Sequence, residues 1–541
     1  MRKKHDIWNS MNGDDIFLFL MLAIALFLSK DYLAELFCRI LNITESNALC
    51  TSVTNSVPIL LFIAYIYGVF SYARSKAYFY KTGRKYEKDH HKYKRSYGQL
   101  VDYFQSAEPH KLDTSVFEKM SWHEAKGIVF GQDQGRLLCI PSDSECNIAI
   151  FGPPGSGKTS GIAIINAITF QGSVLAVDIK GDLYNYVSAH SHRKIVRFCP
   201  DSPTALQDSV RFDPFADLEK LNETEKKLYL QSVATILIPD EGGSDGNYFT
   251  TRARKMYQGI THLMLHKNPS ASFPDIIHAI LQGNIFNWVT KAMKSNCEPA
   301  KELLSSFFGN SEKNITSAYD ALTTALICYS NPILDTLLSK CNDSISIQTL
   351  EEGTDLYLQI SQQHLDAYAP LFTLLIEHMS TAFKNRPDSS TGIKNRPILM
   401  LLDEFPQLTF SYQLINSNLS TLRSKSVICM LIQQNLSQLE YRYQPTGARS
   451  IIGNCNFQII LGSNDINSSK VFSETFGEKK VLKLSNSTTK SKNNTTGYSV
   501  QETTEKVFSP EHFGDLSAGG KMIVYFKGKY CECKKLNCYK D

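Results

Sequence analysis

Residues 152–159 read Gly-Pro-Pro-Gly-Ser-Gly-Lys-Thr, which is the phosphate loop G-x-x-x-x-G-K-[ST], and no other stretch restricts the fold so tightly. Such a loop works only between a buried strand and a helix, because its backbone N–H groups and the helix N-terminus must converge on anionic oxygens. The flanks comply. Residues 147–151 form a short, mostly apolar run, and Ile162, Ile165 and Ile168 then recur at helical spacing. The nucleotide loop therefore comprises Gly152, Pro153, Pro154, Gly155, Ser156, Gly157, Lys158, Thr159 and Ser160. Lys158 is placed to reach phosphate oxygens and Thr159 to hold Mg²⁺. The expected ligand is ATP or GTP.

A triphosphatase also needs acids at the end of a neighbouring strand. Residues 397–404, Pro-Ile-Leu-Met-Leu-Leu-Asp-Glu, supply an apolar run closed by two carboxylates in the Walker B pattern. Asp403 is the expected metal anchor and Glu404 the expected general base for water. Residues 427–432 read as the next strand and end at Gln433 and Gln434, where an amide can sense the terminal phosphate. Arg423 precedes that strand at an expected helix end, where a solvated side chain is the plain reading. The run 178–182, Asp-Ile-Lys-Gly-Asp, brings two more acids and a lysine beside the site.

Further strands read at 174–177, 356–360, 457–461 and 522–526, giving an α/β chain with a mostly parallel, doubly wound sheet. About 240 residues separate Lys158 from Asp403. Residues 216–345 fill much of that interval with amphipathic helical patterns at 221–237, 248–266, 274–281 and 315–328, broken by a glycine-rich loop at 240–246. This reads as an all-α domain inserted between two segments of the NTPase core, 126–215 and 346–541. The Ser/Thr/Asn-rich stretch 485–499 reads as an exposed or disordered loop.

The beginning of the chain differs in kind. Residues 16–28 are continuously apolar and reach membrane length if Lys30 snorkels, and residues 53–73 are the stronger span. Lysines and arginines crowd before the first stretch and after the second, so the positive-inside rule gives a hairpin over 1–76. Its transmembrane helices run over about 14–36 and 53–73, with both ends facing the cytoplasm of a bacterial cell. A cleaved signal peptide and a pair of buried core helices are the competing readings of these stretches. The basic, tyrosine-rich run 81–95, within a linker over 77–125, is expected to lie on anionic lipid.

The first 100 residues hold 14 Lys+Arg against 8 Asp+Glu, a balance of +6, while the whole chain carries +4. The remainder is therefore at −2, and bulk basicity gives no warrant for a nucleic-acid partner. The 13 cysteines show no paired CxxC spacing. Cys531, Cys533 and Cys538 are a weak zinc candidate, and Cys38 and Cys50 flank a loop in which they could pair.

With these residues in hand, the chain resembles the TraG/TraD family of type IV secretion coupling proteins. The likeness runs from the apolar hairpin to about Tyr530. It rests on 178–182, on Arg211-Phe-Asp-Pro-Phe215, on Leu402-Asp-Glu-Phe-Pro406, on Gln434-Asn-Leu-Ser-Gln-Leu439, and on 508–516 with 522–526. Asp182 stands where the family's Lys-Gly-Glu motif has glutamate. The resemblance implies a RecA-like ATPase core with an inserted all-α domain, assembling as a homo-hexamer at the inner membrane. It further implies a relaxase–single-stranded DNA complex as cargo and type IV secretion channel proteins as partners. Gln434 then becomes the sensor, and Arg423 a finger reaching a neighbouring subunit's nucleotide. The alternative function is a nucleotide-gated membrane receptor for protein substrates that pumps no DNA. A zinc protease is disfavoured, because His123-Glu124 lacks the second histidine of HExxH.

Overall fold

The computed structural model describes residue 112 and residues 114–239, 244–308, 312–408, 410–489 and 495–540, together with Met21, Leu36, Ser56 and 62–69. The expected membrane hairpin, the basic run 81–95 and the Cys38/Cys50 pair lie almost wholly outside these residues. Among the described residues no helix is long and apolar enough to cross a membrane. His110–Phe476 with Phe508–Asp541 form one compact unit, and Met1–Pro109 with Gly477–Val507 form a second.

In the first unit the strands are β1 (Glu118–Met120), β2 (Ile128–Asp133), β3 (Arg136–Ile140), β4 (Ile148–Phe151), β5 (Ser173–Asp178), β6 (Ile195–Phe198), β7 (Asp355–Gln359), β8 (Ile398–Leu402), β9 (Val427–Gln433) and β10 (Phe457–Ile460). The second unit holds β11 (Glu478–Thr489) and β12 (Thr495–Lys506), and β13 (Lys521–Phe526) and β14 (Lys529–Lys534) return to the first. Among the described residues, one sheet runs β1-β3-β2-β14-β13-β10-β4-β9-β8-β5-β7-β6. From β10 to β6 every neighbouring pair is parallel. The remaining pairs, from β10 with β13 out to β1, are antiparallel. β1 begins inside the stretch 77–125 that composition reads as linker.

The central parallel strands are mostly apolar, as expected where helices cover both faces of a sheet. β4, β8 and β9 are buried at every residue. Ile148, Ile150, Met430, Ile432, Leu399, Leu401, Val174 and Ala176 share one core layer. Full burial of a Val, Leu, Ile or Met side chain is worth about 1.5–3 kcal/mol. Asn147, at the root of β4, is fully buried and acts as a polar staple. Its amide donates to the Leu419 carbonyl (2.7 Å) and the Asn454 carbonyl (3.2 Å), and its side-chain oxygen accepts the Cys429 amide (3.2 Å).

The long connection between the neighbours β6 and β7 contains helices Glu223–Leu237, Ser244–Lys267, Phe273–Gln282, Ile285–Met293, Glu298–Ser305, Glu312–Leu326 and Pro332–Leu337. Among its described residues it adds no strand to the sheet. Capping boxes at Asn222 and Ser272 start two of these helices, each residue's side chain accepting the N3 amide. Helix Ser244–Lys267 begins within the stretch 240–246 that reads as a loop.

Two further expectations change. Residues 485–499 read as a loop because they are polar and Ser/Thr/Asn-rich, yet β11 and β12 pair in an unbroken ladder from Glu478↔Lys506 to Thr489↔Thr495. Threonine and other β-branched residues favour a pleated strand, and backbone pairing does not require an apolar face. The zinc candidate also finds no support: Cys531 and Cys533 are buried on β14, and Cys538 lies in the segment that follows it. Among the described residues no group of three or more His, Cys, Asp or Glu side chains is placed to hold a metal ion.

Candidate active site

β4, β9 and β8 are adjacent, so the strand ending in Gln433 lies between the phosphate-loop strand and the acid strand. Their C-terminal edges face one cavity of about 260 Å³. Its wall holds Lys158, Thr159, Asp403, Glu404 and Gln434, joined by Lys180, Asp182 and Tyr539. Pro154, Gly155, Gly157 and Ser160 complete the loop side.

The loop's shape follows from its glycines. Gly155 and Gly157 take φ of 78° and 95°, a left-handed region that a side chain would strain. At Gly152 a Cβ would come within 2.4 Å of the Ser156 Oγ, so the tight turn excludes any larger residue there. Lys158 is 8% exposed, and its Nζ donates to the carbonyls of Gly152 (2.7 Å) and Pro153 (3.2 Å). Burial pushes the Lys158 ammonium below its ordinary range, while Glu404 and Asp403 act in the opposite direction. Helix formation starts at once after the loop, as a wide-turned π segment Lys158–Ala163 that runs into helix Ile164–Thr169.

The acid end is held under strain. Glu404 sits at φ 47°, ψ 42°, a left-handed conformation that costs a non-glycine residue on the order of 1–3 kcal/mol. Neighbouring groups hold it there. The Glu404 amide donates to Asp403 Oδ1 at 3.0 Å, and the next residue, Phe405, is buried and stacked on both Phe410 and Tyr443. Gln434 Nε2 then donates to both Glu404 carboxylate oxygens, at 3.1 and 3.2 Å. Burial, followed by the like charge of Glu404, raises Asp403 to about 6.

Lys180 and Asp182 reach the wall through a fixed turn. The buried Asp178 carboxylate accepts the amides of Gly181 (3.0 Å) and Tyr184 (2.8 Å) and the Gln359 amide group (3.3 Å). Gly181 supplies the left-handed φ of 79°. Arg423 is not in this wall. It lies in the turn Leu422–Lys425, before the start of β9, whereas Gln434 follows the end of that strand. Seven residues of β9 span roughly 23 Å, so Arg423 stands at the opposite sheet edge from its own cavity. Tyr539 carries no motif and was missed by sequence reasoning, since only the chain path brings it here.

The residues present suit a magnesium triphosphate. Ser156 Oγ is buried and finds no hydrogen-bond partner among the described residues, which leaves a donor inside the phosphate loop. Lys158 rests on neutral carbonyls that phosphate oxygens would outcompete for its charge. Thr159 and Asp403 offer the hard oxygens that Mg²⁺ prefers.

A family model described as Type IV secretory system Conjugative DNA transfer matches residues 104–541. The chain belongs to that family. VirD4 of Rhizobium rhizogenes is 25% identical over 367 residues, which cover 66% of this chain and 53% of VirD4. The conjugal transfer protein TraG of Escherichia coli is 20% identical over 446 residues, covering 75% and 69%. The chain thus spans about half the length of the VirD4 it matches. Plasmid coupling protein TrwB, solved with the non-hydrolysable ATP analogue ADPNP, matches with a TM-score of 0.59. That match covers 80% of this chain and 95% of TrwB at 16% identity, a likeness of fold. This member of the family therefore shares TrwB's mixed α/β architecture around a large parallel sheet.

Proposed function

We propose that this chain is the membrane-anchored ATPase that couples a relaxase–single-stranded DNA complex to a type IV secretion channel and drives transfer by ATP hydrolysis. The observation that carries this reading is the convergence of Lys158, Thr159, Asp403, Glu404 and Gln434 on one cavity, in a chain whose family handles conjugative DNA transfer. Lys158 would exchange the Gly152 and Pro153 carbonyls for phosphate oxygens. A bound Mg²⁺, held by Thr159 and Asp403, would neutralise charge on the phosphates. Glu404 takes the proton of the attacking water, and Gln434 holds that carboxylate in place through both oxygens.

In this reading the core is RecA-like, and the helices between β6 and β7 form an inserted all-α domain over 216–345. The hairpin over 1–76 anchors the protein in the inner membrane, against lipid, with the ATPase cytoplasmic. Six copies form the working ring. Arg423, set at the far sheet edge from its own cavity, serves the cavity of a neighbour as a trans finger.

ATP turnover by the full chain in lipid nanodiscs, with and without single-stranded DNA, tests this reading. Stimulation that weakens as salt rises is expected. Turnover indifferent to DNA, together with protein transfer that survives Glu404→Gln but not Lys158→Ala, would give the chain to the nucleotide-gated receptor instead.

A further inference from the structure

Residues 535–540, which follow β14, cross the start of the phosphate-loop helix beside the cavity. Several contacts fix this crossing. The Lys535 amide donates to the Gly520 carbonyl (2.8 Å), and its ammonium donates to the Leu516 carbonyl (2.6 Å). The Cys538 amide donates to the Ser160 carbonyl (3.0 Å), and the Tyr186 hydroxyl donates to the Cys538 carbonyl (2.7 Å). Leu536 passes so close to the helix that a Cβ at Gly161 would lie 2.4 Å from its carbonyl oxygen. Gly161, directly after the phosphate-loop motif, is therefore a glycine because another part of the chain occupies the space a side chain would fill.

The crossing delivers Tyr539 to the cavity wall. Its ring is braced edge-on by Tyr186, with centroids 5.2 Å apart and planes at 87°, and Tyr186 is itself stacked on His190. Tyr539 is nevertheless 63% exposed, and it is the aromatic among the lining residues. Lys158, Thr159 and the two acids belong to the terminal phosphates and the metal. The residue before Tyr539, Cys538, is tied instead to Ser160, one residue further along, and Tyr539 and Ser160 line the same cavity, on the side where the loop would cradle the α-phosphate.

We propose that Tyr539 is the platform on which the nucleobase of the bound triphosphate stacks. This assignment rests on reading the cavity as a nucleoside triphosphate site. Stacking recognises the face of a base rather than its edge, so the platform accepts adenine and guanine nucleotides alike. Loss of one such contact corresponds to about a tenfold weaker affinity.

The test is titration calorimetry on the full chain in nanodiscs with Mg²⁺, comparing ATP, GTP and inorganic tripolyphosphate. Tyr539→Ala should weaken ATP and GTP by about tenfold each and leave tripolyphosphate unchanged, and Tyr539→Phe should restore both nucleotides. The exposed ring makes a folding defect an unsuitable explanation for that pattern. Unchanged ATP affinity in Tyr539→Ala, or an equal loss for tripolyphosphate, overturns the platform alone. A wild-type chain that takes up neither ATP nor tripolyphosphate overturns the nucleotide reading first, and the platform with it.

Discussion

The two halves of the sheet divide the work. The parallel half, β10 to β6, supplies the strand ends that lead into the phosphate loop, Asp403 and Gln434, so the groups proposed to handle phosphate come from the tips of fully buried strands. The antiparallel half, β13 to β1, contributes none of the acids and no part of the phosphate loop. It carries the segment 535–540 across the phosphate-loop helix and thereby places Tyr539. Parallel strands with crossover helices bring many chain segments to one edge, which is where convergent chemistry is built. Antiparallel strands joined by short turns bring a single continuous segment to a chosen place, which suits positioning.

If that division holds, damage to the parallel half should remove turnover and damage to the antiparallel half should alter binding or stability. The largest effects belong to Lys158→Ala and Glu404→Gln, each expected to lower kcat for ATP by at least about two orders of magnitude. Arg423→Ala should approach the same loss, with activity recovered in mixed oligomers where an intact neighbour supplies the arginine. Lack of recovery returns Arg423 to an ordinary solvated side chain.

Gln434→Ala should be next. Freed of both hydrogen bonds, the Glu404 carboxylate can leave its position, and kcat should fall by about ten- to a hundredfold with KM nearly unchanged. A KM effect alone would mean that Gln434 touches nucleotide rather than the base.

Acid should separate the halves as well. Asp403 must be ionised to hold Mg²⁺, and its carboxyl is raised to about 6 by burial and Glu404. Mg²⁺-dependent ATP affinity is therefore expected to fall below about pH 6, approaching tenfold per pH unit, and calorimetry across pH 5–8 reads it. The stability of the nucleotide-free protein runs the other way. This raised carboxyl favours the folded state most at pH below its ordinary range, and that contribution is lost as pH climbs through about 6. An affinity flat from pH 5 to 8 would remove Asp403 from the metal.

The smallest effect tests the antiparallel half. A Cβ at Gly131 on β2 would meet Met522 Cε at 2.4 Å and Cys533 Sγ at 2.7 Å. Gly131→Ala should destabilise by about 1–3 kcal/mol and lower Tm, while kcat below the transition stays near wild type. A collapse of kcat without unfolding would show that this flank takes part in chemistry.

The legible parts of this chain were those with a local physical demand. A phosphate loop needs glycine at left-handed positions, a metal needs acids at a strand tip, and doubly covered strands need unbroken apolar runs, so residues 152–160, 398–404 and 427–434 could be read in place. The antiparallel strands were mostly invisible, because β1 has only three residues and no motif or strict alternation marks β2 and β3. The β11–β12 hairpin escaped because its composition is that of a loop and only pairing reveals it. The strain at Glu404 depends on the stacking of Phe405, Phe410 and Tyr443, which no spacing announces.

The shape of the phosphate loop was decided locally, since a short run of consecutive residues suffices to fold a turn that fits an anion. Which half of the sheet would bring Tyr539 to the cavity wall was decided only by folding. Tyr186 and Cys538 meet although 352 residues separate them, and Gly161 makes sense only beside Leu536. Contacts across such distances depend on the order and direction of every strand between them, a property of the whole packed sheet rather than of any window of sequence.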